Sequence, residues 1–144
     1  MDDTFASDPR FDGYSTYIMS AYVEFMEAAG ARVVPLVSMG EDWTETLDKI
    51  ERLDGILFPG GAGDYVDYGR SIYDQVKTWN DQGHFYPIWG TCLGFENLAI
   101  IASDEGSAVL SKLEAHNINL PLEFIGEPDN NKMFGDLGVD AYGW

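Results

Sequence analysis

Pro87-Ile88-Trp89-Gly90-Thr91-Cys92-Leu93-Gly94-Phe95-Glu96 is the stretch that decides the fold. Pro87 to Gly90 is a short strand, and Leu93 to Ala102 has the composition of a helix. Cys92 therefore lies on the corner where a strand turns into a helix, with a glycine two residues to either side. Upstream, Gly55-Ile56-Leu57-Phe58 is a continuous apolar run of the kind buried on both faces of a parallel sheet. It empties into Pro59-Gly60-Gly61-Ala62-Gly63-Asp64, and a helix is predicted over 69–82. Two consecutive strand–loop–helix units imply an α/β protein with a mostly parallel sheet flanked by helices.

Working outward, Trp43 to Leu53 shows the 3.6-residue period of a helix. Ala31-Arg32-Val33-Val34-Pro35-Leu36-Val37 is rich in β-formers and predicts a strand with Pro35 near its end. Ser15 is the expected N-cap of a helix running to about Ala29, with Ile18, Tyr22, Phe25 and Met26 at helical spacing and Gly30 as its stop. Beyond residue 105 the pattern changes. Short alternating apolar runs over 109–125 (Ile118, Leu120, Leu122, Phe124) predict antiparallel edge strands, and 130–144 is glycine-rich and weakly patterned. Residues 1–13 form an acidic, disordered lead-in, and 14–144 form the α/β domain, which looks incomplete.

A chain of 144 residues is the size of one domain. The formal net charge of −17, from 25 acidic against 8 basic residues, disfavours nucleic acid and anionic membranes as partners. No apolar stretch approaches the ~20 residues that span a bilayer, so no membrane insertion is expected. The polar, acidic start is the reverse of a secretory signal, and the compartment is left open. One cysteine excludes an intrachain disulfide framework and any cysteine-rich metal site.

Ligands of open α/β sheets gather beyond the carboxyl ends of the strands, and both unusual loops lie there. The Pro59–Asp64 loop carries glycine at 60, 61 and 63, which frees the backbone either for a tight turn or to present N–H groups to an anion. It lacks the Gly-Lys-Ser/Thr of phosphate loops and the spaced glycines of dinucleotide folds. The Cys92 corner matches a nucleophile elbow with sulfur in place of oxygen. Its glycines permit close packing, the helix N-terminus favours a thiolate, and the Leu93 N–H points where an oxyanion would develop. A buried structural cysteine is the competing reading, and the corner favours the nucleophile.

The Pro87–Glu96 block, preceded by Gly55-Ile56-Leu57-Phe58-Pro59-Gly60-Gly61, resembles the γ-glutamyl hydrolase family. The helix Tyr17 to Ala29 with Gly30-Ala31-Arg32-Val33-Val34-Pro35 behind it looks similar too, as does Leu120-Pro121-Leu122-Glu123-Phe124-Ile125-Gly126 followed by Met133-Phe134. The likeness runs from about Tyr14 to Phe134. It implies a class I glutamine-amidotransferase-like, flavodoxin-like fold, seen here as its N-terminal half. It further implies a cysteine hydrolase that removes γ-linked glutamates from folylpoly-γ-glutamates, without a cofactor. Cys92 would attack the γ-amide carbonyl to form a thioester that water resolves. Gly61 and Leu93 would supply the oxyanion-hole N–H groups, with Gly60 beside them in the substrate-binding loop. Glu96 would either sit beside the substrate's amino group or cap the helix.

The resemblance also implies lysosomal, vacuolar or secreted relatives. Relatives that make ammonia from glutamine carry Cys-X-Gly-X-Gln, whereas this chain has Glu96, which counts against a glutaminase. The family's catalytic histidine and a strand before the first helix are both expected outside this sequence. His84, in a turn before the nucleophile strand, and His116, on an edge segment, are expected to be surface residues rather than the base. Alone, the chain is expected to be inactive. A further segment or another chain would complete it, or it would serve as a silent structural or binding component of a larger assembly.

Overall fold

The computed structural model describes residues 9–119 apart from Met39. The chain divides into two compact units at the Ser111–Lys112 boundary. The first carries every helix and strand among the described residues: α1 (Ser20–Ala28), α2 (Trp43–Ile50), β1 (Ile56–Phe58), α3 (Val66–Asp81), β2 (Ile88–Gly90) and α4 (Leu93–Ala102). Single 3₁₀ turns form at Pro9–Phe11 and Gly106–Val109. Of the second unit, residues 112–119 are exposed turn and extended chain, with Asn117 at φ 55°.

Strands β1 and β2 pair in parallel, with Ile56 opposite Ile88, Leu57 opposite Trp89 and Phe58 opposite Gly90. Parallel neighbours need a crossover, and α3 is that crossover. Phe58, Ile72, Val76 and Tyr86 form the buried cluster, and half-buried Leu53, Tyr68, Trp79 and Leu98 pack around it. Apolar residues at 72 and 76 sit one helical turn apart, which is why α3 buries that stripe.

Helix ends follow from local chemistry. Asp42 caps α2 by accepting from the Glu45 N–H at 2.9 Å. Both α1 and α3 end in the same glycine motif. Gly30 (φ 87°) donates to Glu27 and Ala31 to Met26; Gly83 (φ 88°) donates to Asn80 and His84 to Trp79.

Three expectations change. Helix α1 starts at Ser20 rather than near Ser15, because Thr16-Tyr17-Ile18 is a β-branched and aromatic run that stays extended. Residues 31–37 form no strand: Val33 and Val34 are exposed, and the segment finds no ladder partner among the described residues. Propensity alone does not make a strand, since its backbone groups need a neighbour to bond. Likewise, residues 110–119 hold turns and coil in place of an edge strand. The continuation of that expectation over 120–125, the glycine-rich 130–144 and the lead-in over 1–8 lie outside the described residues.

Candidate functional site

The two glycine-bearing loops leave adjacent strand ends side by side. The Thr91 N–H donates to the Phe58 carbonyl at 3.1 Å, so the pairing continues from the last residue of β1 to the first residue past β2 before the chains diverge. Gly94 then packs onto the Phe58 carbonyl, and Gly90 packs beneath the Gly94 carbonyl and the Leu98 side chain. A Cβ on Gly90 would lie 2.7 Å from both. The corner is tight because glycine stands at 90 and 94, which is what the sequence spacing predicts.

Cys92 is where the chain bends. It has φ 54° and ψ −118°, a conformation that a residue with a Cβ adopts only under constraint. Its thiol is exposed, and α4 begins at the next residue. The Leu93 N–H is among the first donors of α4, which the helix itself cannot pair. The Glu96 N–H closes the first turn onto the Cys92 carbonyl at 3.0 Å. Glu96 itself is exposed in the first turn of α4, and the Cys92 side chain makes no cap hydrogen bond.

Gly60 comes closest to the thiol side chain. A Cβ there would lie 2.9 Å from the Cys92 Cβ and 3.3 Å from the Thr91 carbonyl, and would collide with the Tyr22 hydroxyl. Gly61 follows at φ 127°, and Gly63 at φ 147°, both positions that favour glycine. The loop is thus bent by Gly61 and Gly63 and pressed against the cysteine at Gly60.

Tyr22, Tyr65 and Asn97 complete the surroundings. The Tyr65 hydroxyl donates to the Pro59 carbonyl at 2.7 Å, and its ring leans on Phe58 with centroids 6.1 Å apart. Burial raises the Tyr65 pKa; the Asn97 amide opposes the rise, and nearby Tyr22 and Cys92 add to it. Asn97 is only 3% exposed, and its Nδ2 completes no hydrogen bond among the described residues. Sequence reading missed these three. In the sequence Tyr22 is only one of the residues at helical spacing, Tyr65 is not singled out, and Asn97 stands where an apolar residue would fit the helix pattern. A polar residue at an inward helical position, five residues beyond a candidate nucleophile, was the available signal.

His84 belongs elsewhere. It is exposed in the turn before β2, near the rings of Trp79 and Tyr86, while Cys92 follows the far end of that strand. His116 sits exposed in a turn of the second unit, where an edge segment was expected. No trio of His, Cys, Asp or Glu among the described residues is placed to hold a metal ion, and no helix among them is long and apolar enough to cross a membrane.

A parallel pair crossed by one helix, followed by a strained cysteine at the mouth of the next, is matched by what the sequence is similar to. Residues 3–115 match the peptidase C26 family. The chain belongs to that family. Its fold is glutamine-amidotransferase-like. The γ-glutamyl hydrolase of Homo sapiens is 38% identical over 130 residues, which cover 86% of this chain and 40% of that protein. The γ-glutamyl hydrolase B of Dictyostelium discoideum is 39% identical over 115 residues, covering 75% and 32%. The γ-glutamyl hydrolase 1 of Arabidopsis thaliana is 36% identical over 123 residues, covering 83% and 35%. The chain thus spans about 40% or less of these relatives' length and corresponds to the N-terminal part of the family.

Proposed function

We propose that this chain carries the nucleophile of a γ-glutamyl hydrolase acting on folylpoly-γ-glutamates, with Cys92 as the attacking group. The observation that supports it best is the Cys92 backbone, held at φ 54° on a strand-to-helix corner with the thiol exposed. A structural cysteine has no use for that strain, whereas a nucleophile is aimed by it.

The thiolate adds to the γ-amide carbonyl carbon, and the developing oxyanion is met by the N–H groups of Leu93 and Gly61. Collapse breaks the C–N bond, the terminal glutamate leaves as the amine with a proton, and the pteroylglutamyl part remains on Cys92 as a thioester through its γ-carbonyl. Water then adds to the thioester, the C–S bond breaks, and the shortened pteroylglutamate and the thiol are released. Glu96, exposed in the first turn of α4, is assigned to substrate binding. His84, off the far end of β2 from Cys92, is not placed to be the proton acceptor. On this reading the 144-residue chain acylates slowly and turns over poorly, because loss of the base from a nucleophilic triad costs on the order of 10⁴ or more in rate.

Incubation with a pteroyl-di-γ-glutamate, followed by intact-mass analysis, tests the reading. One pteroylglutamyl group on Cys92, absent in Cys92→Ser, is the expected result. A chain whose Cys92 alkylates with iodoacetamide yet never acylates would sink it and favour the silent structural component.

A further inference from the structure

The glycine loop beside Cys92 is closed at its base by a single side chain. Tyr65 stands at the end of the loop, immediately before α3, and reaches back to its start: ring on Phe58, hydroxyl on the Pro59 carbonyl. Six residues, 59–64, are therefore looped out between two points that Tyr65 ties together. We infer that Tyr65 is a positioning residue that sets the orientation of the Pro59–Gly60 peptide and so aims the loop's N–H groups at the carbonyl attacked by Cys92.

The geometry is that of a planar trans peptide. The Pro59 oxygen and the Gly60 N–H project from opposite sides of one rigid unit, so fixing the oxygen on Tyr65 fixes the direction of the N–H. The need for a brace follows from the glycines. Gly61 at φ 127° and Gly63 at φ 147° have open space where a side chain would stand, so nothing packs on the loop at either position. Gly60 touches Cys92 closely enough that a rotation of its peptide would be felt at the thiol.

A hydroxyl has one proton to give, and the Tyr65 phenol gives it to the Pro59 carbonyl. That one bond and the ring seated against Phe58 carry the brace, and Tyr65 acts through the loop.

The inference rests on the proposed hydrolase chemistry only for its effect on acylation, and the test separates the two. Tyr65→Phe keeps the ring on Phe58 and removes only the hydroxyl. The amide order parameters of Gly60 and Gly61 should fall from the rigid range, about 0.85, toward about 0.6 as the loop loses its tie. Acylation of Cys92 by a γ-glutamyl p-nitroanilide should slow about tenfold or more, while alkylation by iodoacetamide, which forms no oxyanion, stays within about twofold.

Unchanged order parameters in the folded variant overturn the inference. So does an equal fall in acylation and alkylation, which would mean that the thiol itself was disturbed. If the parent chain alkylates but never acylates, the hydrolase reading fails, and the order parameters alone decide the brace. Should Tyr65→Phe not fold, the parent chain decides it: Gly60 and Gly61 amides already below about 0.6 overturn the brace equally.

Discussion

Gly94, the second residue of α4, lies directly on the Phe58 carbonyl at the end of β1, so closely that no side chain fits between them. This contact joins the nucleophile helix to the neighbouring strand. It is also what lets the Cys92 corner fold back over the Pro59–Gly61 loop.

Gly94→Ala should therefore unfold the first unit or cost it more than about 3 kcal/mol. The obstacle is backbone of a buried strand, which cannot swing aside as the far end of a side chain can. Thermal and urea unfolding against the parent chain measure it. A stable Gly94→Ala protein would mean that α4 sits further from β1 than described.

Cys92 carries strain that only its own removal relieves. Cys92→Ala keeps a Cβ at φ 54°, whereas Cys92→Gly does not. Cys92→Gly should thus be more stable than Cys92→Ala by about 1 kcal/mol, the reverse of the usual order at an interior position. Paired unfolding curves decide it. An alanine variant at least as stable as the glycine variant would show the corner to be unstrained.

Much of this site was legible before any coordinates. The strand–glycine–cysteine–glycine–helix order placed Cys92 on its corner, and continuous apolar runs located β1 and β2, because both signals are local. The false strand at 31–37 and the missed Tyr65–Pro59 tie share one cause. Each depends on what a segment meets across space, and neither a β-rich run nor a loop tyrosine carries that information. Helix α1 shows the same limit at its start, where Thr16-Tyr17-Ile18 overrode a good capping serine five residues too early.

Tyr86 makes the fold sensitive to alkaline pH. Its hydroxyl donates to the Ile50 carbonyl at 2.8 Å in the core, and burial pushes its pKa up to about 12, with Asp54 adding to the rise. The folded chain thus holds this proton more tightly than the unfolded chain, where it leaves near 10.0. The contribution is complete below pH 10 and lost as pH rises through 12, at about 1.4 kcal/mol per pH unit. Tyr86→Phe should cost about 1 kcal/mol at neutral pH, from the lost hydrogen bond to the Ile50 carbonyl, which keeps the Leu53 N–H, and should flatten the alkaline decline. A parallel decline in both proteins would assign it to other groups.

Neighbouring glycines of the loop should fail for different reasons, and that contrast tests the proposed site most directly. A methyl on Gly60 would press on the Cys92 Cβ, the Thr91 carbonyl and the Tyr22 hydroxyl. Of these only the Tyr22 hydroxyl ends a long side chain that can move away. Gly60→Ala should therefore slow iodoacetamide alkylation of Cys92 several-fold by displacing or covering the thiol. Gly61→Ala meets nothing, yet places a Cβ at φ 127°, where the cost is backbone strain of about 1–2 kcal/mol. Its alkylation rate should stay near that of the parent, while acylation by a γ-glutamyl p-nitroanilide falls by about 10²-fold as the N–H assigned to the oxyanion turns away. Equal alkylation in Gly60→Ala and the parent would remove Gly60 from contact with the nucleophile. Unimpaired acylation in a folded Gly61→Ala would move the oxyanion donor to another residue.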